Sequence, residues 1–558
     1  MKKTNLLILL CLLTLNLFAW EGNGTLENPY KISSPQDLME LSNSPESFDG
    51  IYFRQTQDID MQECQDFQAI GTKGEAFKGN YDGQNFKIKN LKVAKGSYGE
   101  ERVAFFGHIT TGAVIRNVHI TENSSFEGTS YVGSIAAQCY FGGTIENCSS
   151  SATVVGAGNN VGGIVGDGYV VKNCRFTGSV TVDYQYAYNA GGIAGYINEV
   201  IENCYNYGTV KGNKKVGGVC GYITIGGNIS DCYNAGNITG VDDHIGGVFG
   251  EVALGLISDV NIKKCYNSGN VKGNNYVGGI AGTSASVVST TGNTGNVEAT
   301  GSYAGGIAGS GTAIISYNKG NVTGKERVGG IVGALKEVAS VNNCYNTGNV
   351  SGENYVGGLV GSANGSVASE LLNSYSTGSI ESEGGNVGGV VGYMNTGGLV
   401  NSNKIANTYW NSDIYAGTGV GNIVTPTETF SFYPKTTAEL KNNFSITLDN
   451  GGKVWAEDED NINNGYPILR HGLYPVSVEK EPSALSNIKV YSFGNQIYIA
   501  NEKHETIKQV EIFDITGRAL YSNSTVQNVI SLDAPAGIYI VRLITGTEAK
   551  GYKVVLTK

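Results

Sequence analysis

The sequence predicts an all-β chain built mainly as a right-handed parallel β-helix, a solenoid of about ten repeats of about 28 residues with a cap at each end. A small β-sandwich is expected to follow it. Three observations lead there. The hexamer VGGIVG at Val161 recurs from Ala190, Val216, Ile245, Val277, Ala304, Val328, Val356 and Val387, with a degraded copy, VGSIAA, from Val132. A second motif alternates with it: IENCYNYGTV from Ile201 has relatives from Val171, Ile229, Ile262, Val341 and Leu371. No helical period runs through this region, so each unit reads as short strands joined at Gly- and Asn-containing corners.

Composition sets the outer bounds. Charged residues are 16% of the 558, and 81 are Gly, which suits a tightly stacked β array better than a disordered chain when the spacing is this regular. The formal net charge of −11 argues against nucleic acid or an anionic surface as partner. Five histidines, His108, His119, His244, His471 and His504, are scattered and form no metal-ligand spacing.

Residues 1–19 join Lys2 and Lys3 to an apolar run from Leu6 to Leu17, the pattern of a secretory signal peptide. The run is too short to span a bilayer, and nothing later is apolar enough, so an integral membrane protein is not expected. Residues 20–102 lack the repeat and read as an N-terminal cap over the open end of the solenoid. Within them Ser34 is placed to cap a helix beginning at Pro35.

The repeats occupy 103–400. The fourth hexamer position is always a large aliphatic, Ile164, Ile193, Val219, Val248, Ile280, Ile307, Ile331, Leu359 or Val390, and is expected to face the core. Gly178, Gly208, Gly236, Gly269, Gly295, Gly320, Gly348 and Gly378 mark one corner, where a positive φ is the expected requirement. Asn206, Asn234, Asn267, Asn293, Asn318 and Asn346 stand two residues earlier, placed to stack as an amide ladder. Cys148, Cys174, Cys204, Cys232, Cys265 and Cys344 share a register with Thr291, Ser316, Ser374 and Thr408, which points to a structural ladder of small side chains. Without Cys11 nine cysteines remain, so a complete disulfide framework is impossible, although some bridging stays open. Ile201 and Cys204 have opposite strand parity, so a bend or bulge must separate them if both face inward.

Tyr205, Tyr233, Tyr266, Tyr317, Tyr345, Tyr375 and Tyr409 follow that column and predict an aromatic stripe. It is either a structural stack or a platform for glycans or extracellular and host proteins. Charges such as Lys214-Lys215, Asp242-Asp243 and Lys325-Glu326-Arg327 are read as sharing no register and as solvated corners. Residues 401–476 read as a C-terminal cap, 477–485 as a linker and 486–558 as a separate domain of six short strands.

The alternating hexamers and CYNxGNV segments resemble the GLUG-motif repeats of bacterial cell-surface and secreted proteins. GNGTLENPYKISSPQDL from Gly22 and FKGNYDGQNFKIKNLKV from Phe77 resemble the segment preceding such repeats, including the one ahead of immunoglobulin-A-cleaving metallopeptidases. That activity does not carry over, because His504-Glu505-Thr506-Ile507-Lys508 lacks the second His of a zinc motif. FDITGRAL from Phe513, PAGIYIVRL from Pro535 and the terminal KGYKVVLTK are similar to the type A C-terminal sorting domain of the type IX secretion system of Bacteroidetes. Gly517, Arg518, Gly537 and Tyr539 carry that motif. The resemblance implies the type IX machinery as partner, passage through the periplasm and across the outer membrane, removal of the domain, and surface attachment or release.

The expected function is that of a non-catalytic, adhesin-like surface or secreted protein with no catalytic residues, metal site or cofactor. Two alternatives stand beside it, a polysaccharide-degrading β-helix lyase or hydrolase and a passive spacer. The acidic run AEDEDNINN from Ala456 raises calcium, but it does not match an EF-hand loop and reads as a solvated turn.

Overall fold

The computed structural model describes residues 20–71, 75–94, 102–121, 123–224, 228–253, 261–336, 339–364, 370–395, 405–424, 431–449 and 452–470. It also describes 488–556, with interruptions at 494–495, 501–506, 515–517, 525–526, 528, 533, 536 and 545–548. The signal peptide, the linker and Gly517 lie outside the described residues. The chain divides into two compact units, Met1–Leu473 and Tyr474–Lys558.

The first unit is a parallel β-solenoid of about twelve turns. Its coils contribute to one continuous sheet of 32 strands, a second of 11 and a third of 9. The hexamers begin in the third sheet, where Val161, Ala190, Val216, Ile245, Val277, Ala304, Val328, Val356 and Val387 pair in register, rung on rung. All nine aliphatics at the fourth hexamer position are fully buried, as expected.

The parity conflict between Ile201 and Cys204 is resolved by one residue between them. Asn203 has φ 53°, and its counterparts Asn117, Asn147, Asn173, Asp231, Lys264, Thr290, Ile315, Asn343, Asn373 and Asn407 lie between 47° and 56°. A single left-handed residue breaks the two-residue alternation and turns both flanking side chains inward; Asn and Asp tolerate that region best. The corner glycines do not use a positive φ, contrary to expectation. Their requirement is close approach, since a Cβ on Gly236 would lie 1.8 Å from the Gly208 carbonyl oxygen of the preceding rung.

The amide ladder forms as the spacing implies. Asn206 donates its Nδ2 hydrogen to Asn234 Oδ1 at 2.7 Å, and the pattern continues through Asn267, Asn293 and Asn318 to Asn346 at 2.7–2.8 Å. Each Nδ2 also donates to the carbonyl of the glycine two residues on, so these buried amides satisfy one another and the corner backbone.

Both caps differ from expectation. Tyr30–Ile32, Tyr52–Gln55, Asn80–Asp82 and Val114–Arg116 pair successively in parallel, so residues assigned to an N-terminal cap already form coils. Their core is aromatic, with Phe53, Phe77, Tyr81, Phe105 and Phe106 nearly inaccessible. The helix Pro35–Asn43 is present, with Ser34 accepting from the Asp37 N–H in a capping box and Leu38 and Leu41 buried. At the other end the parallel stack runs on through Ile405–Asn411 to Phe432–Lys435. Two short helices, Thr437–Leu440 and Phe444–Leu448, and an antiparallel pair, Trp455–Ala456 with Ile468–Leu469, come next.

The second unit contains all six expected strands and one more, Ala519–Asn523. They form antiparallel sheets of three and four strands around a core that includes Ile497, Ile512, Val541 and Leu543.

Candidate functional site

The tyrosine stripe forms, but the chain itself covers much of it. Tyr317, Tyr345 and Tyr375 stack in succession with centroids 5.4 Å apart and planes within 13°. The segment after the last coil folds back over them. Trp455 packs on Tyr345 and Tyr375 at 6.1 and 5.6 Å, and its Nε1 donates to Asn343 Oδ1 at 3.0 Å. The Tyr375 hydroxyl donates to the Pro467 carbonyl and accepts from Asn463 Nδ2 at 2.9 Å, while Lys319 Nζ donates to the Ile462 carbonyl at 2.7 Å. Tyr409 meets Phe444 edge-on at 4.9 Å. Tyr317, Tyr345, Tyr375 and Tyr409 are therefore buried, as is Tyr233, and only Tyr205 and Tyr266 stay partly exposed. The stripe is an internal seam along most of its length, the structural stack of the two readings, with Tyr205 and Tyr266 left at its surface.

The cysteine column is structural in a more specific sense than small size. Cys204 Sγ donates to the Glu202 carbonyl at 3.3 Å, and Cys148, Cys174, Cys232, Cys265 and Cys344 each reach the carbonyl two residues back in the same way. Ser316, Ser374 and Thr408 supply a hydroxyl to the equivalent carbonyl at 2.8, 2.7 and 3.1 Å. The position wants a small donor beside the left-handed residue, which Cys, Ser and Thr all provide. Described cysteines are unbridged. Burial pushes the Cys174, Cys204 and Cys232 thiols well up and that of Cys344 up to about 12, so these side chains are neutral rather than nucleophilic.

Charges do share a register, contrary to the sequence reading. Arg54, Asp82, Arg116, Glu146, Lys172 and Glu202 pair rung by rung with alternating sign, and two of the contacts close to 2.9 Å (Arg116–Asp82) and 3.2 Å (Lys172–Glu202). In the acidic run, Asp458 accepts the backbone N–H groups of Ile462, Asn463 and Gly465 at 2.7–2.8 Å and so organises a turn. Among the described residues no group of three or more His, Cys, Asp or Glu is placed to hold a metal.

Two outward columns were not anticipated. The residue before each hexamer except the last is left-handed, and His244, Tyr276 and Tyr303 stack there at 5.2 and 4.4 Å with planes within 4°. Arg327 continues that stack, its guanidinium 5.1 Å from the Tyr303 ring and 5.4 Å from Tyr355. Rings stacked this way present edges, not faces, to solvent.

The second column runs His108, Gln138, Asp167, Tyr196, Tyr222, Glu251 on successive rungs of the long sheet. Arg102 donates to Gln138 Oε1 through Nε at 3.0 Å and Nη2 at 2.7 Å, and Gln138 Nε2 donates to Asp167 Oδ2 at 3.2 Å. Asn198 Nδ2 donates to Asp167 Oδ1 at 2.9 Å. Burial pushes the Asp167 carboxyl up to about 6, against the opposing pull of the two amides and Arg102. Tyr196 and Tyr222 stack at 5.5 Å, and Lys215 lies 3.7 Å from the Tyr222 ring and 3.1 Å from Glu251. Beside this row the loop after Cys139 exposes Tyr140 and Phe141, 43% and 63% accessible, their rings edge-to-face at 4.3 Å, with Tyr169 6.5 Å from Phe141. Because the row changes residue type from coil to coil over most of its length, the periodic columns gave no sign of it.

In the second unit Arg518 and Tyr539 meet one end of the four-stranded sheet. Asp514 accepts from Arg518 N and Nε, both at 3.1 Å, and pairs across strands with Tyr539, whose hydroxyl donates to the Pro535 carbonyl at 2.7 Å. Gly537 begins the strand that carries Tyr539. Among the described residues no helix is long and apolar enough to cross a membrane.

Residues 477–548 match a family described as a domain of unknown function, DUF8694. Over 158 residues the chain is 35% identical to Halomucin of Haloquadratum walsbyi, a match covering 26% of this chain and 2% of that protein. Over 137 residues it is 29% identical to a proposed Gly-rich membrane protein of Evansella cellulosilytica, covering 23% of this chain and 15% of that one. The chain thus spans only a small part of these relatives. A crystal structure of a proposed immunoglobulin A1 protease from Bacteroides ovatus aligns over 80% of this chain and 94% of its own, with 19% identity and a TM-score of 0.27.

Proposed function

We propose that the protein is a non-catalytic, adhesin-like β-solenoid, exported by type IX secretion and displayed at the cell surface or released, which binds glycans or extracellular proteins. The observation that carries this reading is the outward face from Arg102 to Glu251, where exposed aromatic rings stand beside a buried, hydrogen-bonded polar row. The scaffold elsewhere spends its polar groups on itself, in the amide ladder and at the corners. Export draws support from the signal-like residues 1–19 and from the FDITGRAL, PAGIYIVRL and KGYKVVLTK elements. Similarity to Halomucin and to a Gly-rich membrane protein agrees with a surface role.

A paired-carboxylate hydrolase centred on the Asp167 column meets a geometric difficulty. Paired-carboxylate hydrolysis needs its two groups within about 10 Å. In the Asp167 column the next carboxylate is Glu251, three rungs away, roughly 14 Å. The test is surface localisation of the full chain and of a form lacking 486–558, together with binding of the full chain to glycan and matrix-protein arrays. Loss of display on deletion and a specific ligand are expected. Retained display would overturn the sorting assignment, absence of any ligand would favour a spacer, and depolymerisation of a polysaccharide would favour the enzyme.

A further inference from the structure

Building on the surface-interaction reading, we propose that Tyr140, Phe141 and Tyr169, with the Gln138–Asp167–Asn198 row beside them, form a carbohydrate subsite for a neutral pyranose within an oligosaccharide. Three features of the molecule converge on it. The first is an aromatic face left open. In the tyrosine seam and in the His244–Tyr276–Tyr303 stack each ring covers its neighbour, whereas Tyr140 meets Phe141 at 84° and Tyr169 is tilted by 52°. Phe141 thus keeps a face for the apolar C–H side of a sugar ring, which stacks on an aromatic through dispersion and the ring quadrupole.

The second is the backbone at the ring, a turn in which the Gly143 N–H donates to the Tyr140 carbonyl, as the Ala113 N–H does to Thr110 one rung before. Phe141 has φ 25° and Gly142 φ 84°, and the loop is fixed from the preceding rung, where the Thr111 hydroxyl donates to the Phe141 carbonyl. A bulky residue with positive φ and a side chain 63% exposed gains no burial from that conformation. Orienting the ring outward is what the arrangement achieves.

The third is a preorganised polar row for sugar hydroxyls. Asp167 is 6% exposed, and each of its oxygens accepts one amide hydrogen, from Gln138 and from Asn198, so each keeps an acceptor direction for a hydroxyl donor. One rung on, the Tyr196 hydroxyl hydrogen-bonds Thr224 Oγ1. Tyr140 lies against the same row, its ring 6.5 Å from that of His108, the rung neighbour of Gln138. From Gln138 to Tyr222 the row spans three rung intervals, roughly 14 Å, enough for several linked sugars. The buried carboxylate and the chain's net charge of −11 select against sialylated or uronic-acid ligands.

The experiment is a glycan array probed with the full-length wild type and with Phe141→Ala, Asp167→Asn and, as a distant control, Tyr205→Ser. Melting temperature and sedimentation are recorded for each. Wild type and the control should favour neutral glycans, Phe141→Ala should bind about tenfold more weakly with an unchanged melt, and Asp167→Asn should shift which glycans are retained. Equal binding by Phe141→Ala, or a preference for acidic glycans, overturns the subsite while leaving a surface-interaction role intact. A wild-type dimer lost in Phe141→Ala, or capture of a matrix protein in place of any glycan through Phe141, reassigns the patch to a protein interface. Absence of all binding overturns both readings.

Discussion

Replacing Asn267 by alanine tests the internal ladder where its consequences are largest. The side chain is 1% exposed and makes three hydrogen bonds: Nδ2 donates to the Gly269 carbonyl and Asn293 Oδ1, both at 2.8 Å, and Oδ1 accepts from Asn234 Nδ2 at 2.7 Å. The substitution removes one hydrogen-bonded donor from each of two acceptors and leaves one Asn234 hydrogen without its acceptor, while Asn234 keeps its bond to the Gly236 carbonyl. Buried groups that lose partners cost about 1–3 kcal/mol each, and in one network the losses overlap, so about 3–5 kcal/mol is expected. The amide also packs against Gly247, where an added Cβ would lie 2.4 Å from Asn267 Cγ, so truncation opens space there as well. Asn270→Ala is the matched control. That residue is exposed and its Oδ1 accepts only the Asn296 N–H among the bonds in the structure, at 3.1 Å, so less than about 1 kcal/mol is expected. Urea unfolding of both variants measures the difference. A loss for Asn267→Ala within about 1 kcal/mol of the control would refute the ladder's energetic role.

Ile315 is a β-branched residue at φ 49° in a column where Asn is the commonest occupant, so Ile315→Asn should stabilise by about 1 kcal/mol; destabilisation in urea would contradict the strain argument. Trp455→Ala should cost about 3–5 kcal/mol and open Tyr345 and Tyr375 to nitration, whereas unchanged protection would mean that the returning segment does not seal the seam. Asp167 should make stability depend on pH. Its folded-state carboxyl, at about 6, lies above the ordinary value of 3.8, so between these values the folded chain holds the extra proton and stability rises on acidification. Relative to Asp167→Asn, the wild type should gain melting temperature from pH 7.5 to 4.5, and a relative loss would contradict the burial assigned to this group.

What could be read from the sequence is what stacking forces to repeat. The hexamer aliphatics, the Asn ladder and the corner glycines occupy equivalent places on successive rungs, so geometry constrains each copy alike. The bend beside Cys204 was legible as a parity conflict, and Asn203 supplies it. The first coils were hidden because strands beginning at Tyr30, Tyr52, Asn80 and Val114 are unevenly spaced and packed with aromatic residues in place of the hexamer. The alternating charge column begins in those same coils, which is why it went unnoticed. Coverage of the tyrosine seam depends on contacts such as Trp455 to Asn343, 112 residues apart, that no local pattern encodes. The outward face from Arg102 to Glu251 escaped notice for the opposite reason: His108, Gln138, Asp167 and the pair Tyr196 and Tyr222 share one register without a repeating residue type, freed from the scaffold's demands.

Hydroxyl-radical footprinting of the full chain, alone and saturated with the tightest-binding glycan from the array, locates the contact surface most directly. Protection confined to Tyr140, Phe141 and Tyr169, with Tyr205 and Tyr266 unchanged, is the predicted result. Protection at Tyr205 and Tyr266 with Phe141 still reactive would contradict it and return the binding surface to the tyrosine column.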